Sequence, residues 1–353
     1  MPIWNWITIV VLGIRPTREG GWKPETSETP VPIDLRTVLI TVAIGVGISL
    51  VMVLLSVYVL GEYGWSLFIG TPFVVGMIAG FLTNRNEPRR VGASLGAATL
   101  SILLGGAALL LFALEGIVCL LMAAIPGMLL ALGGALIGHA IANSRRSMPS
   151  SPRQLAPAIV ILPLLAGIET LHRETPVFEV ETVVEIDASP MEVWPHVIDF
   201  PDLPPPSRLV EWSGVAYPVR ARLEGRGVGA IRHCEFSTGP FVEPISAWEP
   251  GRRLAFDVTS QPHPMEEWSP YSNIHPPHLD GYFRSVRGEF RFVELPDGRT
   301  RLEGSTWYEL DLAPRFYWTM MADTVIHRIH TRVLEHVKRQ SEGDETTVPG
   351  PAS

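Results

Sequence analysis

Charge is scarce in this sequence. Asp, Glu, Lys and Arg make up only 18% of its 353 residues, whereas a soluble globular chain carries about a quarter. The shortage argues against an ordinary cytosolic enzyme. Cysteine is scarcer still. Cys119 and Cys234 lie far apart, which excludes a disulfide framework and a CxxC metal site. A basic excess is also missing, since the formal net charge is −8. Nucleic acid is therefore not an expected partner, because phosphate binding needs a basic footprint. No Ser/His/Asp order, nucleophile elbow or phosphate-binding glycine loop appears. The glycines at 225, 227 and 229 read as a hairpin turn.

What is present is divided unevenly. Residues 1–172 hold 10 Lys/Arg and 8 Asp/Glu, while 173–353 hold 18 and 28. The mean hydropathy of +0.22 thus averages two unlike halves. In the first half, 37–60 contains no charge, and about 20 apolar residues suffice to cross a bilayer. Further apolar runs occupy 63–83, with Pro72 as an expected kink, then 91–114 and 116–142. A fifth, 155–168, is short and holds two prolines. The expected membrane domain is 35–172, with four or five spans. Gly92/Gly96 and Gly134/Gly138 have the four-residue spacing that lets membrane helices approach closely.

Within residues 1–172, Lys and Arg are confined to 1–36, 85–90 and 145–153, and the intervening loops have none. This bias places the N-terminus in the cytoplasm of a multi-pass inner-membrane protein. The C-terminal half then lies outside if 155–168 spans, and in the cytoplasm if it does not. The apolar stretch 3–14, within a segment 1–34, lacks a basic n-region and a cleavage site. It reads as an interfacial segment anchored by Trp4 and Trp6 rather than a signal peptide. His139 is the ionisable residue inside a run. With no acidic relay, Arg ladder or internal repeat beside it, the bundle reads as an anchor rather than a transport path.

The second half is expected to be one domain, 174–342, with a disordered tail at 343–353. Alternation in 178–187 gives a strand with one buried face. Ser189-Pro190-Met191-Glu192 is a capping box that opens a short helix, which Pro195 is expected to shorten. Strand-like segments follow at 219–224, 228–236, 241–250, 252–259, 283–295 and 300–312, with Pro-Gly and Asp297-Gly298 turns. A helix from about Pro314 to Gln340 carries Ala322, Val325, Ile326, Ile329, Val333 and Val337 on one stripe. Strands in series with tight turns give a curved antiparallel sheet. The long helix must bury its stripe on the concave face. The fold class is therefore α+β behind a transmembrane helical bundle.

The stretches VEIDASPMEVWPHVIDF, the glycine-spaced 225–233, ISAWEPGRRLAFDV, DGRTRLEGSTWYEL and the terminal helix resemble the SRPBCC, or START-like, helix-grip superfamily, in its polyketide cyclase/dehydrase and lipid-transport branch. The likeness covers about 177–340. The stretches Tyr63–Trp65 and Glu115–Gly127 look like the membrane segment ahead of some bacterial members. The resemblance implies a hydrophobic cavity between sheet and helix, occupied by a lipid or small molecule. It does not imply one chemistry, because members include carriers, sensors and cyclases.

The expected cavity lining is Phe256, Val258, Phe290, Tyr308, Ile326 and Ile329, with His330 as a polar contact. The proline-rich stretch 261–283 is long enough to be a lid, with Met265, Trp268 and Tyr271 over the mouth. His275, His278 and Asp280 carry metal-ligand chemistry, but His-Pro-Pro-His holds the chain extended and no second ligand pair follows, so no metal and no cofactor is expected. Asp323 and His327 stand one helical turn apart and are candidates for a general base. His233 is a third candidate if its strand face points inward, a parity the sequence leaves open. Trp194, Trp248 and Trp307 read as core. Three functions fit: a membrane-anchored binder of a hydrophobic molecule, a cyclase- or dehydratase-like enzyme, and a membrane-tethered sensor or assembly module. The sequence identifies no protein partner.

Overall fold

The computed structural model describes residues 35–144, 156–172, 175–271 and 274–343. The interfacial segment expected at 3–14 and all but the first residue of the tail expected at 343–353 lie outside them. The chain divides into two compact units. The first holds the described residues up to Leu55, Ile69–Ala108 and Ala123–Leu165. The second holds Ser56–Phe68, Leu109–Met122 and the chain from Ala166 onward.

The apolar runs fold as helices α1 (Leu35–Val53), α2 (Thr71–Asn84), α3 (Val91–Leu111), α4 (Ile117–Ser144) and α5 (Ala156–Glu169). Four helical stretches, Leu35–Val59, Ser66–Asn84, Val91–Leu111 and Ile117–Ser144, are long and apolar enough to cross a membrane. The fifth apolar helix is shorter.

In the first unit the backbones of α2 and α4 meet closely. A methyl on Gly76 would stand 1.9 Å from the Ala131 carbonyl oxygen, and one on Gly134 would stand 2.1 Å from that of Phe73. Gly80 and Gly138 are equally tight. The expectation for Gly134/Gly138 thus meets a close contact, but Gly92 and Gly96 have nothing within 4 Å of an added methyl. Four-residue spacing permits close approach without requiring it. Pro72 lies inside the continuous helical stretch Ser66–Asn84, at the start of α2. The helix is irregular just before it, as a π-helical turn at Ser66–Gly70, where a proline removes a backbone donor. His139 is absorbed in a polar chain, with Ser94 Oγ 3.0 Å from its Nδ1 and Asn143 2.9 Å from its Nε2.

The second unit is built on a seven-stranded antiparallel sheet, ordered β1-β7-β6-β5-β4-β3-β2. Its strands are β1 (Val177–Ile186), β2 (Pro218–Glu224), β3 (Ile231–Phe236), β4 (Gly239–Glu249), β5 (Arg253–Asp257), β6 (Phe283–Glu294) and β7 (Thr300–Leu310). Between β1 and β2 lie α6 (Pro190–Ile198) and the short α7 (Arg208–Trp212), and α8 (Arg315–Ser341) closes the domain. This is the helix-grip arrangement. The capping box forms, with the Glu192 carboxylate accepting from the Ser189 N–H at 2.8 Å. Pro195 does not end α6, which runs on to Ile198.

One end of the α8 stripe joins α6 and the sheet in a core that includes Val193, Trp194, Leu254, Leu302, Leu334 and Val337. Trp194 meets Trp248 edge-on at 5.3 Å. Towards the start of α8 the sheet and helix part, and a cavity opens between them.

Candidate functional site

Strand periodicity sets which side chains reach the cavity, and two bulges alter it. Register shifts between Ser285 and Arg287 on β6, so Phe283 and Ser285 face the cavity before the shift, and Gly288 and Phe290 after it. Strict alternation would have placed only the even positions inward. On β4 a shift lies between Ile245 and Ala247, which leaves Phe241 and Glu243 on the cavity side while Trp248 packs with Trp194. Gly288 has a specific task. A methyl there would stand 2.4 Å from the Phe256 ring, so its absence lets that ring lie flat on the sheet. The helix supplies the roof through Trp318, Ala322, Ile326, Ile329 and Val333, spaced by three or four residues as one helical face requires.

The cavity volume is about 230 Å³. That is about 15 to 23 times the ~10–15 Å³ that one water needs. Its walls are mainly apolar, and three clusters of polar groups stand at them.

The first is an ion pair inside the sheet. Arg232 and Glu243 are opposite one another on β3 and β4, only 2% and 5% exposed, and hydrogen-bonded through Arg232 Nη1. The guanidinium also donates to the Ile198 carbonyl at 3.2 Å. It lies 5.3–5.9 Å from the ring centres of Phe256, Phe200 and Phe290, within cation–π range. Burial acts against its charge, but the Glu243 carboxylate outweighs that and holds Arg232 above its ordinary value. Burial pushes the Glu243 carboxyl up, against the pull of Arg232. The neighbouring Cys234 thiol is pushed up to about 12, chiefly by burial, which makes it a poor nucleophile.

The second cluster lies under α8. His330 Nε2 is 2.7 Å from Thr306 Oγ1 and its Nδ1 is 3.1 Å from Thr182 Oγ1. Burial, with His327 nearby, pushes its pKa down to about 4, so it is neutral at physiological pH.

The third cluster stands on the cavity wall where 56–68, 109–122 and the loop before β6 meet. Tyr63 Oη donates to Glu115 Oε1 at 2.7 Å. His278 lies between two carboxylates, its Nδ1 3.1 Å from Glu115 Oε2 and its Nε2 3.2 Å from Glu267 Oε1. The Glu267 carboxylate in turn accepts from the Val118 and Cys119 N–H groups, both at 3.0 Å. These are orphan donors at the first turn of α4. Burial acts to lower the His278 pKa, but the two carboxylates outweigh it and raise it to about 9.

Of the side chains expected at a ligand, Phe256, Val258, Phe290, Ile326, Ile329, His330 and Met265 line the cavity. Three do not. Tyr308 is fully buried among Phe178, Phe283 and Trp318, and its hydroxyl donates to Asp323 at 2.5 Å. Trp268 stacks edge-on against Trp212 at 5.3 Å. Tyr271 donates to the Leu111 carbonyl at 2.6 Å. The loop is therefore tied down at several points, and Met265, pinned by a bridge to Val215, is the one of its three expected lid side chains that reaches the cavity.

The catalytic candidates do not assemble. Asp323 is engaged by Tyr308, and His327, on the exposed side of α8, sets its Nδ1 2.8 Å from Thr182 Oγ1. His233 points away from the cavity, 3.6 Å from Glu224, because Arg232, Cys234 and Phe236 take the inward face of β3. The trio His275, His278 and Asp280 is split. His275 and His263 gather at exposed Asp280, while His278 turns to Glu115. Arg232, Glu243 and the Glu115 cluster were missed. The small apolar residues Ala230 and Cys234 on the parity of Arg232 were the available signal for the first pair. No local signal links Glu115 to His278.

No curated protein matches the chain. Similar solved structures align with about half of it. A protein of Nitrosospira multiformis shares 18% identity over 48% of this chain and 100% of its own, with a TM-score of 0.30. A protein of Thermus thermophilus shares 13% over 48% and 100%, at 0.32. A point mutant of norcoclaurine synthase from Thalictrum flavum, in complex with a transition-state analogue, shares 11% over 49% and 99%, also at 0.32. Residues 177–342, the helix-grip domain, match the model of the family described as polyketide cyclase / dehydrase and lipid transport.

Proposed function

We propose that this protein is anchored in a membrane by its apolar helices and binds one hydrophobic small molecule or lipid in the helix-grip cavity. The observation that carries this reading is the cavity itself. It is roomy and mainly apolar, with a few polar groups at fixed positions, the usual form of a small-molecule site. Trp318 adds a donor, since it lines the cavity and its buried indole N–H has no hydrogen-bond partner. A ligand carbonyl, hydroxyl or carboxylate would satisfy it. The apolar walls would hold the rest of the molecule. The four membrane-length helices support anchoring, and the distribution of Arg and Lys supports a cytoplasmic N-terminus.

The test is to purify the full chain in lipid nanodiscs and identify tightly held hydrophobic molecules by native mass spectrometry. The reading expects a stoichiometric adduct that Ile329→Trp, which fills the cavity, removes. An adduct of equal occupancy in the variant, or none in the wild type with or without added lipid extract, would reject it.

A further inference from the structure

Two groups of three or more ligand-bearing side chains gather among the described residues. His263, His275 and Asp280 form the more open one, a solvated surface cluster. The other is Glu115, Cys119 and His278, and it is mostly buried. We propose that Glu115, Cys119 and His278 bind a single divalent transition-metal ion, zinc by preference, on the wall of the cavity.

Four observations converge on it. Glu115 and Cys119 are four residues apart at the start of α4, and His278 comes from the distant 3₁₀ turn Pro277–Leu279, so the three face one point from two directions. One oxygen, one sulfur and one nitrogen atom lie within 4.8 Å of one another. Tetrahedral zinc, with bonds of about 2.0–2.3 Å, would bring them to roughly 3.3–3.7 Å, a closure reachable by side-chain rotation.

The inner atoms are left over. Glu115 Oε2 and His278 Nδ1 are buried, and neither has a hydrogen-bond partner of good geometry, although they are only 3.1 Å apart. Buried polar atoms are rarely left so. Two ligand atoms aimed at a common third atom would have this arrangement.

The outer atoms are already used as a metal site uses them. His278 Nε2 faces the Glu267 carboxylate, which the backbone of α4 holds in place. Glu115 Oε1 accepts from Tyr63. Histidine ligands nearly always bond a carboxylate or carbonyl through the second nitrogen, and that partner fixes ring orientation. Finally, Cys119, His278 and Tyr63 all line the cavity. A fourth coordination position would open towards it, as in zinc sites that keep a place for an exogenous ligand. Binding would release protons from the thiol and the imidazole.

The test uses the full chain in detergent, free of any metal-binding tag and stripped with chelator. Titration with Co²⁺ is expected to saturate at one equivalent, with tetrahedral d–d bands and a thiolate-to-cobalt charge-transfer band. Zn²⁺ should displace the cobalt. Cys119→Ser should abolish the charge-transfer band, and Glu267→Gln should weaken affinity by about 10–100-fold while leaving the band in place at saturation. His275→Ala, in the solvated cluster, should change nothing. Folding of each variant is checked by circular dichroism. A folded wild type that shows no cobalt spectrum would overturn the proposal, as would a charge-transfer band that survives Cys119→Ser or is lost in His275→Ala.

Discussion

Removing one partner of the Arg232–Glu243 pair should be far more damaging than removing both. In Glu243→Ala the guanidinium keeps its bond to the Ile198 carbonyl and its place among Phe200, Phe256 and Phe290. It cannot swing to water, because Arg232 is 2% exposed. An uncompensated buried charge of this kind costs about 3–5 kcal/mol. For a domain of this size that corresponds to a fall in Tm of about 6–20 °C, at roughly 2–4 °C per kcal/mol. The double variant Arg232→Met, Glu243→Leu removes both charges and keeps the volume apolar. Such replacements are often neutral or stabilising, so its Tm should stay close to that of the wild type. Thermal unfolding of the full chain, followed by the fluorescence of Trp194 and Trp248 in the adjoining core, reads both variants. A Glu243→Ala protein that unfolds within about 2 °C of the wild type would refute the reasoning, as would a double variant less stable than the single one.

Three further outcomes follow from other parts of the molecule. Gly134→Leu should disrupt the packing of α2 on α4, because even a methyl there would meet the Phe73 carbonyl oxygen at 2.1 Å. Gly92→Leu, with open space around it, should leave the thermal stability of the purified protein unchanged. His330 is held at a pKa of about 4 in the folded domain, below its unfolded value of about 6.5. The unfolded chain therefore takes up the proton first as pH falls. The contribution is complete above about pH 6.5 and is lost down to about pH 4, up to about 3 kcal/mol in all. His330→Gln should flatten the Tm-against-pH curve in that window, and an unchanged slope would contradict the assignment. Tyr308→Phe removes the donor to Asp323 and should lower stability by about 0.5–1.5 kcal/mol. It should leave lipid occupancy intact, since Tyr308 does not line the cavity, which native mass spectrometry of the variant would show.

The parts of the fold legible in the sequence are those governed by local periodicity. The strands, the capping box at Ser189 and the α8 stripe all follow from spacing within one segment. What was not legible depends on events between segments. The bulge on β6 brings Phe283 and Ser285 to the same face as Gly288 and Phe290, and no alternation pattern announces it. The inward turn of Arg232 defies the rule that charges face water, and becomes permissible only because β4 places Glu243 opposite. Asp323 and His327 sit at catalytic spacing, yet their partners, Tyr308 and Thr182, come from neighbouring strands. Glu115 and His278 belong to segments that read separately as a loop between apolar runs and as a surface loop.

The most direct test of the binding reading is photolabelling with a diazirine-bearing lipid in nanodiscs, followed by peptide mapping. Cavity binding predicts label on residues such as Phe256, Phe290 and Met321, beyond the background on the apolar helices, and its loss in Ile329→Trp. Label confined to the apolar helices, with none on β5, β6 or α8, would contradict it.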